Sequence, residues 1–196
     1  MVRTAAVIAS AILLMLSAAA QTSDSLRALL VEYRCPIVDR LDRIYEHASP
    51  NDYRDRFLAV TLSGHPHGYV QCLFAENRTW LLCEASSGYY YNRPGVPRTF
   101  YLAPDAIASL DRLGFSTDDT AGNFRYQARL GPLPDLNAIA DLILTALHDG
   151  YGVRAQSRLT FNAPFAPRAT SKCIPVSSTP PTAMFSVAVR GFDGYA

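Results

Sequence analysis

This chain has almost no lysine, and it lacks a large excess of positive or negative side chains. The 196 residues hold 18 Lys and Arg against 17 Asp and Glu, and Lys172 is the only lysine. A nucleic-acid-binding domain concentrates basic side chains on one face, and polybasic segments draw proteins to anionic membranes. The neutral balance therefore argues against nucleic acid and against electrostatic membrane binding.

The short sequence motifs of common metal, redox, nucleotide-binding and hydrolase sites are missing as well. The sequence has no C-x-x-C pair, no G-x-G-x-x-G or Walker loop and no G-x-S-x-G elbow. His65 and His67 come nearest to a metal motif, but zinc takes three or four protein ligands and no third partner is identifiable. We interpret them as solvated turn residues and expect neither a metal nor another cofactor.

The N-terminus has the layout of a secretory leader. Arg3 precedes an apolar run at 5–16, and the small residues 17–20 fit an A-x-A cleavage rule before Gln21. The run is shorter than the roughly 20 residues of a membrane span. We expect a signal peptide at residues 1–20 and a mature protein that is periplasmic or secreted, with no integral membrane span after cleavage. An uncleaved anchor helix is the alternative.

Four cysteines follow the leader, an even number that allows two disulfides in an exported chain. They are Cys35, Cys72, Cys83 and Cys173. Two strand-like runs flank Asn77 and Arg78, and a turn there places Cys72 opposite or next to opposite Cys83. The pair is either a cross-strand disulfide or two small buried thiols.

Hydrophobic periodicity predicts the fold. Helices are expected at 25–45, from Pro104 to Gly114, and from Leu136 to a close at Gly150 and Gly152. Ser23 or Asp24 can cap the first helix, and Pro36 is expected to kink or split it. Strands are expected at 57–62, 69–75, 79–85 and 123–130, with a further short strand at 158–161.

This order predicts one α+β domain over residues 24–162, in the sequence α-β-β-β-α-β-α. Short connections favour an antiparallel sheet of about four to five strands, with helices packed on one face. After it, residues 163–196 are rich in Pro, Ser and Thr and are expected to be a largely irregular tail, apart from a weak strand pattern at 184–189. The pattern carries no signal for an oligomeric state.

Several segments resemble the TY-Chap domains, which are similar to type III secretion chaperones and YbjN-like proteins. They are YVQCLF at 69–74, CEASS at 83–87, LDRLGFSTDDTAGNFRY at 110–126 and the helix end DGYG at 149–152. The resemblance covers roughly residues 24–161. It implies a chaperone-like role without catalysis, with a protein or peptide as the partner.

A loop rich in Tyr and Arg is the strongest binding candidate, because these residue types anchor protein interfaces. Its candidate residues are Tyr89, Tyr90, Tyr91, Arg93, Arg98 and Tyr101. The aromatic rings either serve as an interface or fold back over the sheet edge. Together with the leader and the TY-Chap resemblance, the loop predicts an exported, non-catalytic protein-binding or chaperone-like module of the cell envelope.

A cell-envelope hydrolase, or an inhibitor of one, is the alternative from another class, and a structural envelope protein is a third. For a hydrolase, Ser87 and His148 would have to lie within reach of each other and of a carboxylate. A cation is favourable at a helix C-terminus, so the presence of His148 in the last turn of the third helix is explained without catalysis. Glu76 and Glu84 could act as the paired carboxylates of a glycosidase only if they lay about 5–9 Å apart. We interpret them as a turn residue and a solvated strand residue, and expect no catalytic residue.

Overall fold

The computed structural model describes residues 3–47, 56–91 and 100–168, and for 3–23 only the course of the backbone. It contains three helices, namely α1 (Arg3–Glu46), α2 (Pro104–Arg112) and α3 (Leu136–Tyr151). Its strands are β1 (Phe57–Leu62), β2 (Tyr69–Ala75), β3 (Trp80–Ala85), β4 (Phe124–Arg129) and β5 (Leu159–Asn162). They form one antiparallel sheet in the order β4-β3-β2-β1-β5, which confirms the predicted α+β class.

One face of the sheet forms the hydrophobic core with the helices. Along β2 every second side chain is buried, namely Val70, Cys72 and Phe74, and β3 follows the same alternation. α1 and α3 pack against each other and against this face, and α2 packs on α3. Since successive side chains of a strand point to opposite faces, the alternate residues lie on the face away from α1 and α3.

α1 differs from its prediction in two ways. It begins at Arg3, so neither Ser23 nor Asp24 caps its start, and it continues through Pro36 without dividing. Packing holds it on both sides of the proline, where Arg34 forms an ion pair with α3 and Ile37 is fully buried. The expected cleavage after residue 20 falls within this helix and stays a prediction. Among the described helices, none is long and apolar enough to cross a bilayer.

α3 begins and ends largely where the sequence predicts. Asp135 accepts hydrogen bonds from the backbone N–H groups of Asn137 and Ala138, and Gly152 closes the helix with a φ of 68°. Gly150, expected to help end the helix, lies inside it instead. A Cβ at Gly150 would lie 3.1 Å from Cδ2 of Leu110, so the glycine makes the notch in which α2 packs.

The connection from β2 to β3 has an unusual backbone. Glu76, Asn77 and Arg78 all have positive φ values, of 45°, 55° and 71°. A side chain in this left-handed region costs about 1–2 kcal/mol relative to the right-handed one. Arg78 offsets part of this cost, because its Nη1 donates to the carbonyl oxygen of Tyr45 at 2.8 Å and its guanidinium lies over the Tyr45 ring. The turn is thereby attached to the end of α1.

A disulfide joins Cys72 to Cys83, which are direct partners in the β2–β3 register. Both lie on the helix-covered face and are at most 1% exposed. Cys35 is also disulfide-bonded. The remaining cysteine, Cys173, lies outside the described residues.

The start of the predicted tail packs on the domain. Ala163 and Ala166 belong to the core, and the ring of Phe165 stacks on His47 at 4.0 Å. Residues 169–196, including the weak strand pattern at 184–189, lie outside the described residues.

Candidate binding surface

The face of the sheet away from α1 and α3, here called the open face, carries an apolar row across three strands. Phe57 pairs with Leu73, and Leu73 pairs with Leu82. All three side chains are only partly buried, whereas their core-facing neighbours Leu58, Cys72 and Leu81 are at most 2% exposed. Directly paired residues lie side by side on the same face of a sheet. The three residues therefore form one continuous strip, here called the apolar row.

Polar groups border the apolar row on the side of β4. Arg125, Gln127 and Arg129 are exposed and project from this edge strand onto the open face, where Gln127 pairs with Leu82. Arg125 lies 3.5 Å from Glu84 in an ion pair between neighbouring strands, and Arg129 is the partner of Trp80. The row thus leads from β1 to a column of side chains with two guanidinium groups.

The predicted aromatic residues lie at the surface beyond one end of the sheet. Tyr89, Tyr90, Tyr91 and Tyr101 are between 41% and 67% exposed, which favours the interface interpretation over a cover for the sheet edge. The rings of Tyr89 and Tyr90 meet edge to face with centroids 5.2 Å apart. Arg93 and Arg98 lie outside the described residues, and a binding role for this loop stays a prediction.

The described tyrosines Tyr89, Tyr90, Tyr91 and Tyr101 are here called the tyrosine loop. Hydrogen bonds hold the base of this loop. The Ser87 hydroxyl donates to the carbonyl oxygen of Gly122 at 2.8 Å and accepts from the backbone N–H of Tyr89. Tyr151 donates its hydroxyl to the carbonyl oxygen of Ser86. The loop is therefore fixed to α3 and to the segment before β4, although its tyrosine rings remain exposed.

Tyr69 connects this loop to the open face. It occupies the open-face position at the start of β2, and its hydroxyl accepts a hydrogen bond from Nδ2 of Asn123 at 2.7 Å. Burial raises the pKa of Tyr69 above its ordinary value, and the nearby Tyr91 and Tyr90 act in the same direction. The tyrosine loop therefore forms a rim at the end of the open face.

The two histidines of the β1–β2 turn have different surroundings. His65 is exposed, whereas the His67 ring packs against Tyr91 and Phe100 with centroid distances of 4.0 and 5.3 Å. Within the described ranges, no group of three or more His, Cys, Asp or Glu is placed to hold a metal ion. His67 thus supports the aromatic rim.

Among the described residues, those considered for a hydrolase form no hydrogen bonds with one another. The partners of Ser87 lie in the tyrosine loop and before β4, whereas the His148 ring lies between α3 and α1. Glu84 lies on the open face beside Arg125, and Glu76 lies in the β2–β3 turn, about 13 Å further along the strand at ~3.4 Å per residue.

His148 has a partner that the sequence did not indicate. Its Nδ1 lies 2.6 Å from Oδ1 of Asp149, and its Nε2 lies 3.2 Å from Oγ of Ser25 on α1. This is the order of groups in a hydrolase triad. The His148 side chain is only 1% exposed, however, so its ring is closed off from solvent. The three groups connect α1 to α3.

One of three comparisons with known proteins gives a match. A family model described as T3SS (YopN, CesT) and YbjN peptide-binding chaperone 3 matches residues 38–165, well over half of the chain. No curated protein and no solved structure matches significantly. The matched residues include all five strands, α2 and α3.

Proposed function

Since the chain belongs to the TY-Chap3 family of T3SS and YbjN peptide-binding chaperones, we propose that it binds segments of other proteins on the open face. The apolar row carries this proposal. Phe57, Leu73 and Leu82 form a contiguous apolar strip that no described helix covers. Contiguous exposed apolar patches with a polar border are typical of interaction sites.

The surroundings of the apolar row suit a peptide better than a small molecule. A small ligand is held in a concave pocket that buries most of its surface, whereas a sheet face is broad and shallow. The exposed tyrosines at its end add large rings that lose little conformational entropy on binding. The row would supply affinity and the tyrosine loop would extend the contact along the ligand.

The proposed module is not an enzyme and acts outside the cytoplasm. The lack of catalysis is supported by the family and by the burial of His148, the only imidazole that contacts both a hydroxyl and a carboxylate among the described residues. The leader-like residues 1–20 support export to the periplasm or beyond. The bound segments would then belong to proteins of the cell envelope.

Loss of the apolar row tests this function. The variant Leu73→Ser/Leu82→Ser is compared with Leu133→Ser, which alters a leucine that is 92% exposed in the loop before α3. Binding is measured by fluorescence anisotropy with reduced, carboxymethylated α-lactalbumin as a permanently unfolded probe. We expect the double variant to bind at least about tenfold more weakly, because each buried leucine contributes well over 1 kcal/mol.

The result has to be separated from unfolding. Near-ultraviolet circular dichroism and the thermal midpoint establish whether the double variant keeps the native fold. Equal binding by the folded double variant and by Leu133→Ser would show that the open face is not the binding site.

A further inference from the structure

We propose that the segment bound on the open face is apolar and carries a cluster of acidic residues at one end, which lies between Arg125 and Arg129. This inference rests on the proposed peptide-binding function and specifies the chemistry of the ligand. It follows from where the apolar row ends and from which charges border it.

The row ends between two arginines. Leu82, its last member, pairs with Gln127, and Gln127 stands midway between Arg125 and Arg129 on the open-face side of β4. Residues two apart on a strand are separated by about 7 Å, so the two arginine Cα atoms lie about 13–14 Å apart. A segment that follows the row from β1 to β4 therefore reaches a gap with a cation on each side.

Both cations have capacity for a new partner. Arg129 is exposed and makes no ion pair within the described residues. Arg125 is paired only with Glu84, at 3.5 Å, and its side chain is 53% exposed. Glu84 is thus already neutralised, and beside the row Arg129 keeps an uncompensated positive charge among the described residues. Carboxylates are the ligand groups that a planar guanidinium binds in bidentate fashion.

On the other side of the row, the described part of β5 carries no charged side chain on the open face. Beyond β1, the edge strand β5 places Asn162 beside Ala59 and Thr160 beside Thr61 on the open face. The exposed Arg158 precedes β5 and lies beside Ser63, about 20 Å from Phe57 along the strand at ~3.4 Å per residue, so the cations next to the row lie on its β4 side. This asymmetry selects a ligand whose acidic residues are gathered at one end, and it also fixes the direction in which the ligand lies.

The test uses three fluorescein-labelled peptides that share one leucine- and alanine-rich stretch. One ends in three Glu, one in three Lys and one in three Gln. At low ionic strength we expect the Glu peptide to bind the wild-type protein about tenfold more tightly than the Lys peptide, with the Gln peptide between them. Half-molar salt should remove most of this difference.

A single charge reversal locates the effect. Arg129→Glu should weaken binding of the Glu peptide about fivefold and strengthen binding of the Lys peptide, since attraction becomes repulsion. Arg112→Glu is the matched control, because Arg112 is exposed on α2 and bonds only to Ser109 of its own helix among the described residues. Arg125 is left unchanged, since its loss would leave Glu84 unpaired.

Four outcomes are decisive. Selective loss in Arg129→Glu, with Arg112→Glu like the wild type, supports the assignment. Equal effects of the two reversals would show a general charge effect and overturn it. Equal wild-type affinity for all three peptides, abolished by Leu73→Ser/Leu82→Ser, would overturn the charge preference but leave the binding function standing. Failure of the wild type to bind any of the three would contradict both.

Discussion

Tyr151, the last residue of α3, donates its hydroxyl hydrogen to the carbonyl oxygen of Ser86 at 2.7 Å. Ser86 is fully buried and directly follows β3, where the chain turns into the tyrosine loop. One phenol therefore joins the helical layer to the base of the candidate binding rim. The Ser86 end of the bond is fully buried, so water cannot readily replace the phenol as the partner of that carbonyl group.

Tyr151 makes stability sensitive to alkaline pH. Burial raises its pKa well above 10, and the nearby Tyr69 adds to the effect. An unfolded tyrosine ionises near pH 10 while the folded one stays protonated, so its contribution is complete below about pH 10 and declines as pH rises above it. Tyr151→Phe should lose about 1–3 kcal/mol at neutral pH and show a shallower alkaline decline in urea titrations. Tyr101→Phe, an exposed control, should behave like the wild type.

The ion pair between α1 and α3 gives a second prediction. Arg34 forms two hydrogen bonds of 2.5 and 2.6 Å to the carboxylate of Asp141, yet burial outweighs this attraction and raises the pKa of Asp141. Arg34→Gln leaves the half-buried carboxylate without its cation and should cost about 2–3 kcal/mol at pH 7.

The contribution of Asp141 to stability changes with pH in the opposite direction to that of an ordinary ion-paired carboxylate, whose folded pKa is lowered. Because the folded pKa of Asp141 is raised, its effect on stability becomes less favourable as pH rises from the unfolded value of about 3.9 through the folded one. Removing Arg34 raises the pKa of Asp141 further, because the guanidinium lowers it. The cost of Arg34→Gln should therefore shrink as pH falls from the raised pKa of the variant through that of the wild type, since Asp141 then takes a proton in both. A cost that is constant between pH 4 and 7 in denaturant titrations would contradict this account.

The Cys72–Cys83 disulfide should resist reduction in the folded protein. Both cysteines are at most 1% exposed, so a soluble thiol cannot reach them without local opening. We expect dithiothreitol to leave this bond intact under native conditions and to reduce it in guanidinium, as measured by alkylation and mass spectrometry. Cys72→Ala/Cys83→Ala should cost about 3 kcal/mol through loss of the short closed loop. Rapid native-state reduction of this pair would show that the hairpin opens.

The strained turn between β2 and β3 offers a gain in stability. Glu76 is exposed and has a φ of 45°, which glycine adopts without a steric penalty. Glu76→Gly should raise the free energy of unfolding by about 0.5–1 kcal/mol. Glu76→Ala removes the same charge and keeps the Cβ, so it should give no such gain. Equal effects of both changes would attribute the gain to charge.

Cleavage of the leader is tested by the residues that flank it. Ala18 and Ala20 occupy the two positions where a signal peptidase requires small side chains. In an envelope fraction, mass spectrometry should find a mature chain that begins at Gln21. Ala18→Leu/Ala20→Leu should accumulate the precursor, whereas Ala19→Leu should be processed normally. A full-length chain confined to the cytosol would exclude export.

Local patterns predicted most of the sheet. The alternation in β2 and β4 and the turn residues near Asn77 are features of a few neighbouring residues, and they are sufficient to place Cys72 opposite or next to opposite Cys83. The unbroken course of α1 was not predictable in the same way. The penalty of Pro36 is local, but the contacts that overcome it come from α3, more than 100 residues away along the chain.

The binding surface was only partly predictable for a related reason. The tyrosine loop stands out in composition, but β1 and β2 carry apolar side chains on both faces, so alternation cannot tell which face the helices leave open. Leu73 and Leu82 become candidates only once α1 and α3 are placed. The contact of Ser25 with His148 also joins distant elements and has no local sequence signal.

The notch at Gly150 has a wider effect than the packing of one leucine. Leu110 sits in it, and this contact positions α2, whose first residue follows Tyr101 by only three positions. An added methyl group in the notch would push α2 outward and carry Tyr101 with it. The distance between the Tyr101 ring and the rest of the aromatic rim thus depends on the size of the residue at position 150. Under the proposed function, exchange of this one small residue in a related chain would alter the surface that the rim presents to a ligand.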